Sequence, residues 1–113
     1  MDNKDRGKYG EDLAVSFLEE KGFEILERNH RYKKGEIDII ALLQNELLVF
    51  FEVKNRKSNS HGEPESFVSN QQKRLIISGA ESYIFDINWQ KDIRFDIITI
   101  TGNELVHIED AFY

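Results

Sequence analysis

Two spacings of apolar residues alternate along the chain. Over residues 5–21, Tyr9, Leu13 and Phe17 recur four apart with Ala14 and Leu18 beside them, which predicts an amphipathic helix. Lys21-Gly22 supplies its stop, a cation followed by a residue suited to the left-handed conformation. The helical spacing returns at Ile76, Ala80, Tyr83 and Ile84, and Ser69 with Gln72 three residues on forms the capping box that opens this second helix. Residues 37–43 and 47–53 are instead short runs rich in β-branched and aromatic side chains, split by a polar break, and predict a β-hairpin. Residues 23–27 predict a strand before it, followed by a basic connection over 28–34. Residues 94–100 and 105–108 predict two last strands that turn across Thr101-Gly102-Asn103-Glu104. Residues 55–67, with Ser58-Asn59-Ser60-His61-Gly62 and Pro64, read as a long loop placed to clamp a substrate, and residues 1–5 as a flexible tail. The order helix, strand, hairpin, helix, strand, strand predicts one α/β domain over 1–113, a mixed central β-sheet flanked by α-helices.

The central hairpin breaks its own pattern with acids. Asp38 lies between Ile37 and Ile39, and Glu52 between Phe51 and Val53. An ionised carboxylate in an apolar strand is costly unless a metal or a charge partner compensates it. Glu52 and Lys54, two apart, share a face of their strand. Asp38 joins them only if the connecting loop holds an odd number of residues, so Gln44-Asn45-Glu46, or a bulge of the same effect, is expected; a two-residue turn at Gln44-Asn45 would set Asp38 against Phe51. In the odd register Glu36 falls opposite Lys54, and one face reads Glu36, Asp38, Glu52, Lys54. Two carboxylates converging with a lysine suit Mg²⁺, which is held by one or two carboxylates plus substrate phosphate. The alternative is a set of cross-strand ion pairs on a solvated face.

The spacing from Asp38 to Glu52-Val53-Lys54 resembles the core of the P-D-(D/E)-x-K nuclease superfamily, with Ile37 in place of the proline. More closely, Gly10-Glu11-Asp12-Leu13-Ala14, Asn29-His30-Arg31, Gly35-Glu36-Ile37-Asp38-Ile39-Ile40, Phe51-Glu52-Val53-Lys54-Asn55-Arg56 and Arg94-Phe95-Asp96-Ile97-Ile98 resemble the bacterial YraN-like family, over residues 6–112. The resemblance implies a restriction-endonuclease-like fold, similar to archaeal Holliday-junction resolvases. It also implies a nuclease that hydrolyses nucleic-acid phosphodiester bonds, DNA first, in recombination, repair or processing. In that reading Asp38 and Glu52 bind Mg²⁺ or Mn²⁺, Lys54 acts in catalysis, and Glu11 matches a helix glutamate that approaches the metal. Relatives usually carry a lysine near the start of the second helix. This chain has Gln72 there and Lys73 next to it, and these two are expected to hold the nucleic-acid backbone together with Arg31 and Arg56. The rival reading is an accessory module that binds nucleic acid in the same cleft without cutting.

Composition adjusts this picture. The 113 residues carry no cysteine, which excludes disulfides and thiolate metal sites and fits a cytoplasmic protein. No apolar run follows Met1-Asp2-Asn3-Lys4, so neither a signal peptide nor a membrane anchor is expected. The formal net charge of -6 opposes general affinity for polyanions. Of the 15 Lys and Arg residues, however, nine cluster near the expected site: Arg28, Arg31, Lys33 and Lys34; Lys54, Arg56 and Lys57; Lys73 and Arg74. That distribution fits a basic rim on an acidic body, which steers a polyanion to one cleft. Symmetric cutting of two strands would need a homodimer, through the hairpin edge or the last strand. Asp96 reads as a structural acid paired with Arg94, Trp89 as folding back on the core, His30 as a structural histidine, and His61 as exposed.

Overall fold

The computed structural model describes residues 3–56 and 68–112. Helix α1 (Asn3–Glu20) leads into β1 (Phe23–Tyr32), β2 (Gly35–Leu43) and β3 (Leu47–Arg56); helix α2 (Asn70–Ile87) then leads into β4 (Asp92–Thr101) and β5 (Glu104–Ile108). The strands form a single sheet in the order β1-β2-β3-β4-β5, antiparallel throughout except for the parallel pair β3 and β4. A parallel neighbour requires a crossover, and α2 lies in it. This is a small α/β domain with a mixed five-stranded sheet and two helices, compatible with the restriction-endonuclease-like fold.

Each helix covers one face. Ala14 and Leu18 of α1 pack with Phe23, Ile39, Ala41, Val49, Phe51, Ile98 and Ile100. On the other face Ile76, Ala80 and Tyr83 of α2 pack with Ile40, Leu48, Phe50, Phe95 and Ile97, and Trp89 folds against this cluster as expected. The two central strands are buried on both faces, which explains their near-continuous apolar runs. Ser69 caps α2 through its Oγ, which accepts from the Gln72 amide, and Asn88 closes the other end in the left-handed conformation.

Three expectations change. Residues 28–32 belong to β1, not to a connection; their polarity reflects an edge strand paired on one side only, and the turn to β2 is just Lys33-Lys34. Asn55 and Arg56 continue β3, paired with Ile100 and Thr101 of β4, whereas residues 57–67, His61 and Lys57 among them, lie outside the described residues. Helix α1 starts at Asn3, so residues 3–5 are helical rather than a tail. The β2–β3 hairpin, moreover, is interior, so of the two edges considered for a partner copy only β5 is an edge.

Asp96 is the structural acid expected, with more partners than Arg94 alone. Arg94 grips it with two parallel bonds, Nε to Oδ1 and Nη2 to Oδ2, each 2.8 Å. His107 Nε2 lies 2.7 Å from Oδ2, and the Asp110 amide donates to Oδ1 at 3.0 Å. Lys21 Nζ stands 3.2 Å from His107 Nδ1. An ammonium can only donate, so Nδ1 accepts and Nε2 carries the proton given to Asp96. Burial acts to raise the Asp96 pKa, but the bonds from His107, Arg94 and Asp110 outweigh it and hold the carboxyl below its ordinary value. A lowered folded-state pKa adds stability above the unfolded value of about 3.9, and that stability is lost as pH falls through the folded pKa. Asp96→Asn is therefore expected to cost about 3 kcal/mol at pH 7, the cost of breaking a buried ion pair, with the gap to the parent narrowing as pH falls through the lowered Asp96 pKa and the parent carboxyl protonates. Urea unfolding midpoints across pH measure this.

Candidate metal and active site

The β2–β3 turn sets the site. Gln44 and Asn45 both take positive φ, 54° and 58°, and the Glu46 amide donates to the Leu43 carbonyl at 3.0 Å. This is the mirror-image two-residue turn that fits strand twist. Yet Leu43 pairs with Leu47, so Glu46 is an extra residue and the loop count is odd, as expected. The register runs from Leu43–Leu47 to Ile39–Phe51, and its next step brings Asp38 and Glu52 together.

There the ladder stops. Asp38 Oδ2 accepts the Val53 amide at 2.8 Å, so a side chain replaces the backbone partner and β2 and β3 part. The carboxyl groups of Asp38 and Glu52 are neighbours, and each acts on the other's ionisation. Lys54 Nζ lies 3.5 Å from Glu52 Oε1, both side chains largely shielded from solvent. Glu52 Oε2 is buried and meets no hydrogen-bond partner among the described residues. Burial first, then the Glu52 charge, pushes the Asp38 carboxyl up to about 9. Burial also raises Glu52, against the opposing effects of Asp38 and Lys54. Two adjacent buried carboxylates cannot both ionise without a cation.

On the α1 side of this gap lies a cavity of about 790 Å³. Helix α1 contributes Lys8, Glu11 and Asp12 to its wall, β1 contributes Arg28, Asn29 and Arg31, and β2 and β3 contribute Glu36, Asp38, Val53 and Asn55. Gly10 makes the approach of α1 to β3 close: a Cβ there would stand 2.9 Å from that of Asn55. Glu11 follows it and is nearly buried. Its Oε1 accepts from Arg28 Nε at 2.9 Å and Asn29 Nδ2 at 3.0 Å, while Arg28 Nη2 holds Asp12 at 2.6 Å.

Two neighbouring residues of a strand both reach α1 because Asn29 has φ 53°. Glu27 and His30 contact Tyr83 on the α2 side, and Arg28 and Asn29 between them both contact Glu11 on the α1 side, so alternation fails at Asn29. Across from it, β2 turns as well. Ile37 packs into the α2-side cluster and Ile39 into the α1-side cluster, although residues two apart share a face in a regular strand. Asp38 sits at that twist.

The structure thus brings Asp38, Glu52 and Lys54 together and sets Glu11 across the cavity from Asp38. Val53 packs on the α1-side cluster, so alternation turns Glu52 and Lys54 to the other side of β3, and Asp38 in the gap serves both sides. Among the described residues no three carboxylates or histidines converge as a ready-made metal cage. Glu36 pairs at 3.5 Å with Arg31 rather than with Lys54. Gln72 and Lys73 occupy the first turn of α2, Lys73 over the Phe112 ring, and neither lines the cavity. Arg56 ends β3, three residues beyond Val53. Sequence reasoning missed the Arg28–Asn29 clamp on Glu11; an asparagine amid a polar strand was its only signal.

The donor set fits a hard divalent cation: a buried carboxyl at Glu52 with one oxygen that has no partner among the described residues, a lysine beside it, and the half-buried Asp38, which opens on a cavity with room for water and phosphate. Two predictions follow from the metal-free geometry. Asp38→Asn keeps an acceptor for the Val53 amide and offers Glu52 a permanent donor. The raised Asp38 pKa means that stability is full below pH ~4 and is lost as pH rises through about 9. Without metal the variant should melt several degrees above the parent at pH 8, a gain on the order of 1 kcal/mol or more, and the difference should vanish near pH 4 in thermal scans. At position 29, Asn29→Gly keeps access to the left-handed region, whereas Asn29→Val should lose about 1–2 kcal/mol more, read from denaturant midpoints.

The chain matches the model of an uncharacterised protein family, UPF0102, over residues 10–100. A UPF0102 protein of Cytophaga hutchinsonii is 48% identical over 112 residues, covering 98% of both chains. One from Flavobacterium psychrophilum is 42% identical over 116 residues, with 99% of this chain and 97% of the relative covered. One from Clostridium perfringens is 45% identical over 117 residues, covering 97% and 95%. Likeness of this extent, end to end and with the site strands inside the matched span, makes the chain a member of the UPF0102 family.

Proposed function

We propose that the protein is a metal-dependent nuclease that hydrolyses phosphodiester bonds of nucleic acid, with DNA as the substrate. The observation that carries this reading is the Asp38–Glu52 pair: a buried Glu52 carboxyl with one oxygen that has no partner among the described residues, the half-buried Asp38 beside it, and a lysine 3.5 Å from Glu52. A structural ion pair has no use for the surplus acid, and the same protein builds a fully satisfied one at Asp96.

In this reading Asp38 and Glu52 hold Mg²⁺ or Mn²⁺. When bound, the cation supplies Lewis acidity toward a phosphoryl oxygen and neutralises developing charge. Lys54, kept beside Glu52, orients the attacking water or meets charge on the phosphate. Glu11, clamped through Oε1 by Arg28 and Asn29, lines the cavity and assists from the α1 side. Glu36 adds negative charge that tightens hold on a cation. Arg31 at the cavity mouth, with Arg56, Gln72 and Lys73 farther out, positions the backbone. No helix among the described residues is long and apolar enough to cross a membrane.

The test is cleavage of labelled branched, duplex and single-stranded DNA with Mg²⁺ or Mn²⁺. Asp38→Ala and Lys54→Ala should each lower the rate on the order of 10²-fold or more while the fold is retained. Mn²⁺ at 100 times its Kd should stabilise the parent by about 2.7 kcal/mol, and Glu52→Gln should remove most of that rise. DNA binding without cutting would leave the accessory-module reading; no Mn²⁺ stabilisation would remove the metal site.

A further inference from the structure

The turn between β1 and β2 carries a conformational cost with no structural return. Tyr32 pairs with Gly35, so the turn is Lys33-Lys34, and Lys33 takes φ 53°. The first central position of such a turn favours glycine or asparagine, because an L side chain is strained there. Strain of this kind persists where it serves a function, and the inference runs from the outlier to the role.

The root of the turn is fixed. A Cβ on Gly35 would stand 2.9 Å from that of Leu75, and one on Gly79 would stand 3.3 Å from that of Tyr32, so α2 packs directly over the base of the hairpin. Lys33 Nζ lies 5.3 Å from the centre of the Tyr32 ring. The tip therefore projects in a set direction from the end of the sheet that holds Asp38.

Its charge is also not neutralised by an acid among the described residues. Near the cavity Arg28 is engaged by Glu11 and Asp12, and Lys54 by Glu52. Lys33 and Lys34 are exposed, and neither forms an ion pair among the described residues. Arg31, just behind them, is 81% exposed and meets Glu36 only at 3.5 Å. No acid occurs from residue 28 to residue 35, in a chain of net charge -6. Four residues separate Lys34 from Asp38, about 13 Å at 3.3 Å per residue. A duplex offers a phosphate per strand every 3.4 Å or so of axis, so the tip reaches about four phosphates away from Asp38.

We propose that the β1–β2 turn is a phosphate-binding tip: Lys33 and Lys34, with Arg31 behind them, hold the backbone of a nucleic-acid strand a few nucleotides from the phosphodiester at Asp38 and Glu52. The proposal rests on the nucleic-acid reading of the site and adds a second point of contact to it. Two points on a rigid frame fix the direction of the strand, which one metal site alone does not.

The experiment is binding of labelled duplex and single-stranded DNA by the full chain in EDTA, where no cutting occurs, across a series of KCl concentrations. Lys33→Gly should raise Tm, because the left-handed position is relieved, and at the same time weaken binding. Lys33→Gly with Lys34→Ser should reduce the slope of log K against log salt by about 1.8 on duplex, at 0.9 per phosphate contact. Lys91→Ser removes a cation at the opposite end of the sheet, where Lys91 bonds Asn45 and Glu46, and should leave the slope unchanged. Parent-like affinity and slope in the tip variants would overturn the tip while leaving the site reading intact. An equal loss in Lys91→Ser would overturn it too, as an effect of net charge. A parent that binds neither DNA in EDTA at any salt would overturn the tip, whereas the site reading stands or falls on cleavage with Mg²⁺ or Mn²⁺.

Discussion

An antiparallel hairpin gives two chosen residues a common side only if the turn between them has the right parity, and the site depends on that parity. Glu46 is the residue that decides it. The chain turns at Gln44-Asn45 with the mirror-image geometry a two-residue hairpin would use, then inserts Glu46 before pairing resumes at Leu43–Leu47. Without that insertion Asp38 would stand against Phe51, and the two acids would lie on opposite faces. With it, the same register that buries Ile39, Ala41, Val49 and Phe51 under α1 brings Asp38 to Glu52. The core and the site are set by one alignment, so the apolar pattern that fixes the core holds the acids in place as well.

The protein contains two solutions to the burial of an acid, and their contrast separates architecture from chemistry. Asp96 is wholly buried, and its polar partners all favour the charge against that burial: a bidentate arginine, a histidine with its proton directed at the carboxylate, and a backbone amide. Asp38 receives one amide, and its nearest side chain is another acid. The first arrangement is closed and lowers the pKa; the second is open and raises it. Low stability of the charged form is what makes a site receptive, because a ligand that relieves an existing electrostatic cost gains that relief on binding.

Much of this was legible in the chain. Capping by Ser69, the loop parity at 44–46, the pairing of Asp96 with Arg94 and the inward turn of Trp89 each rest on local chemistry that a sequence carries directly. The misreadings share a cause. The sequence pattern ends β1 at residue 27 because residues 28–31 lack apolar alternation, yet an edge strand needs a partner on one side only and its outer half can be polar. The left-handed Asn29 then disrupts the pattern further by sending Arg28 and Asn29 to one face. The clamp on Glu11 was hidden for the same reason: its residues are far apart in sequence and their meeting depends on the close packing of Gly10 on Asn55, a tertiary contact.

The parallel pairing of β3 and β4 explains why the site lies where it does. Among antiparallel neighbours each strand can be followed by a tight turn, but a strand whose next neighbour is parallel must send the chain out of the sheet and back. The end of β3, beyond Lys54, is where this chain does so, and it is also where β2 and β3 part around Asp38. On the other side of β2, the left-handed Asn29 breaks the alternation of β1 near Asp38, while the register shift of β1 lies farther along, between Ile25 and Glu27. The opposite end closes with the β2–β3 turn and Lys91 bonded across it. Two strands that diverge leave polar groups a backbone ladder would otherwise satisfy, and the cavity forms because side chains, not strands, take over that task. The same divergence that weakens the sheet locally opens Asp38 to the cavity while leaving it beside Glu52, and the packing of both helices on the rest of the sheet supplies the stability to tolerate it.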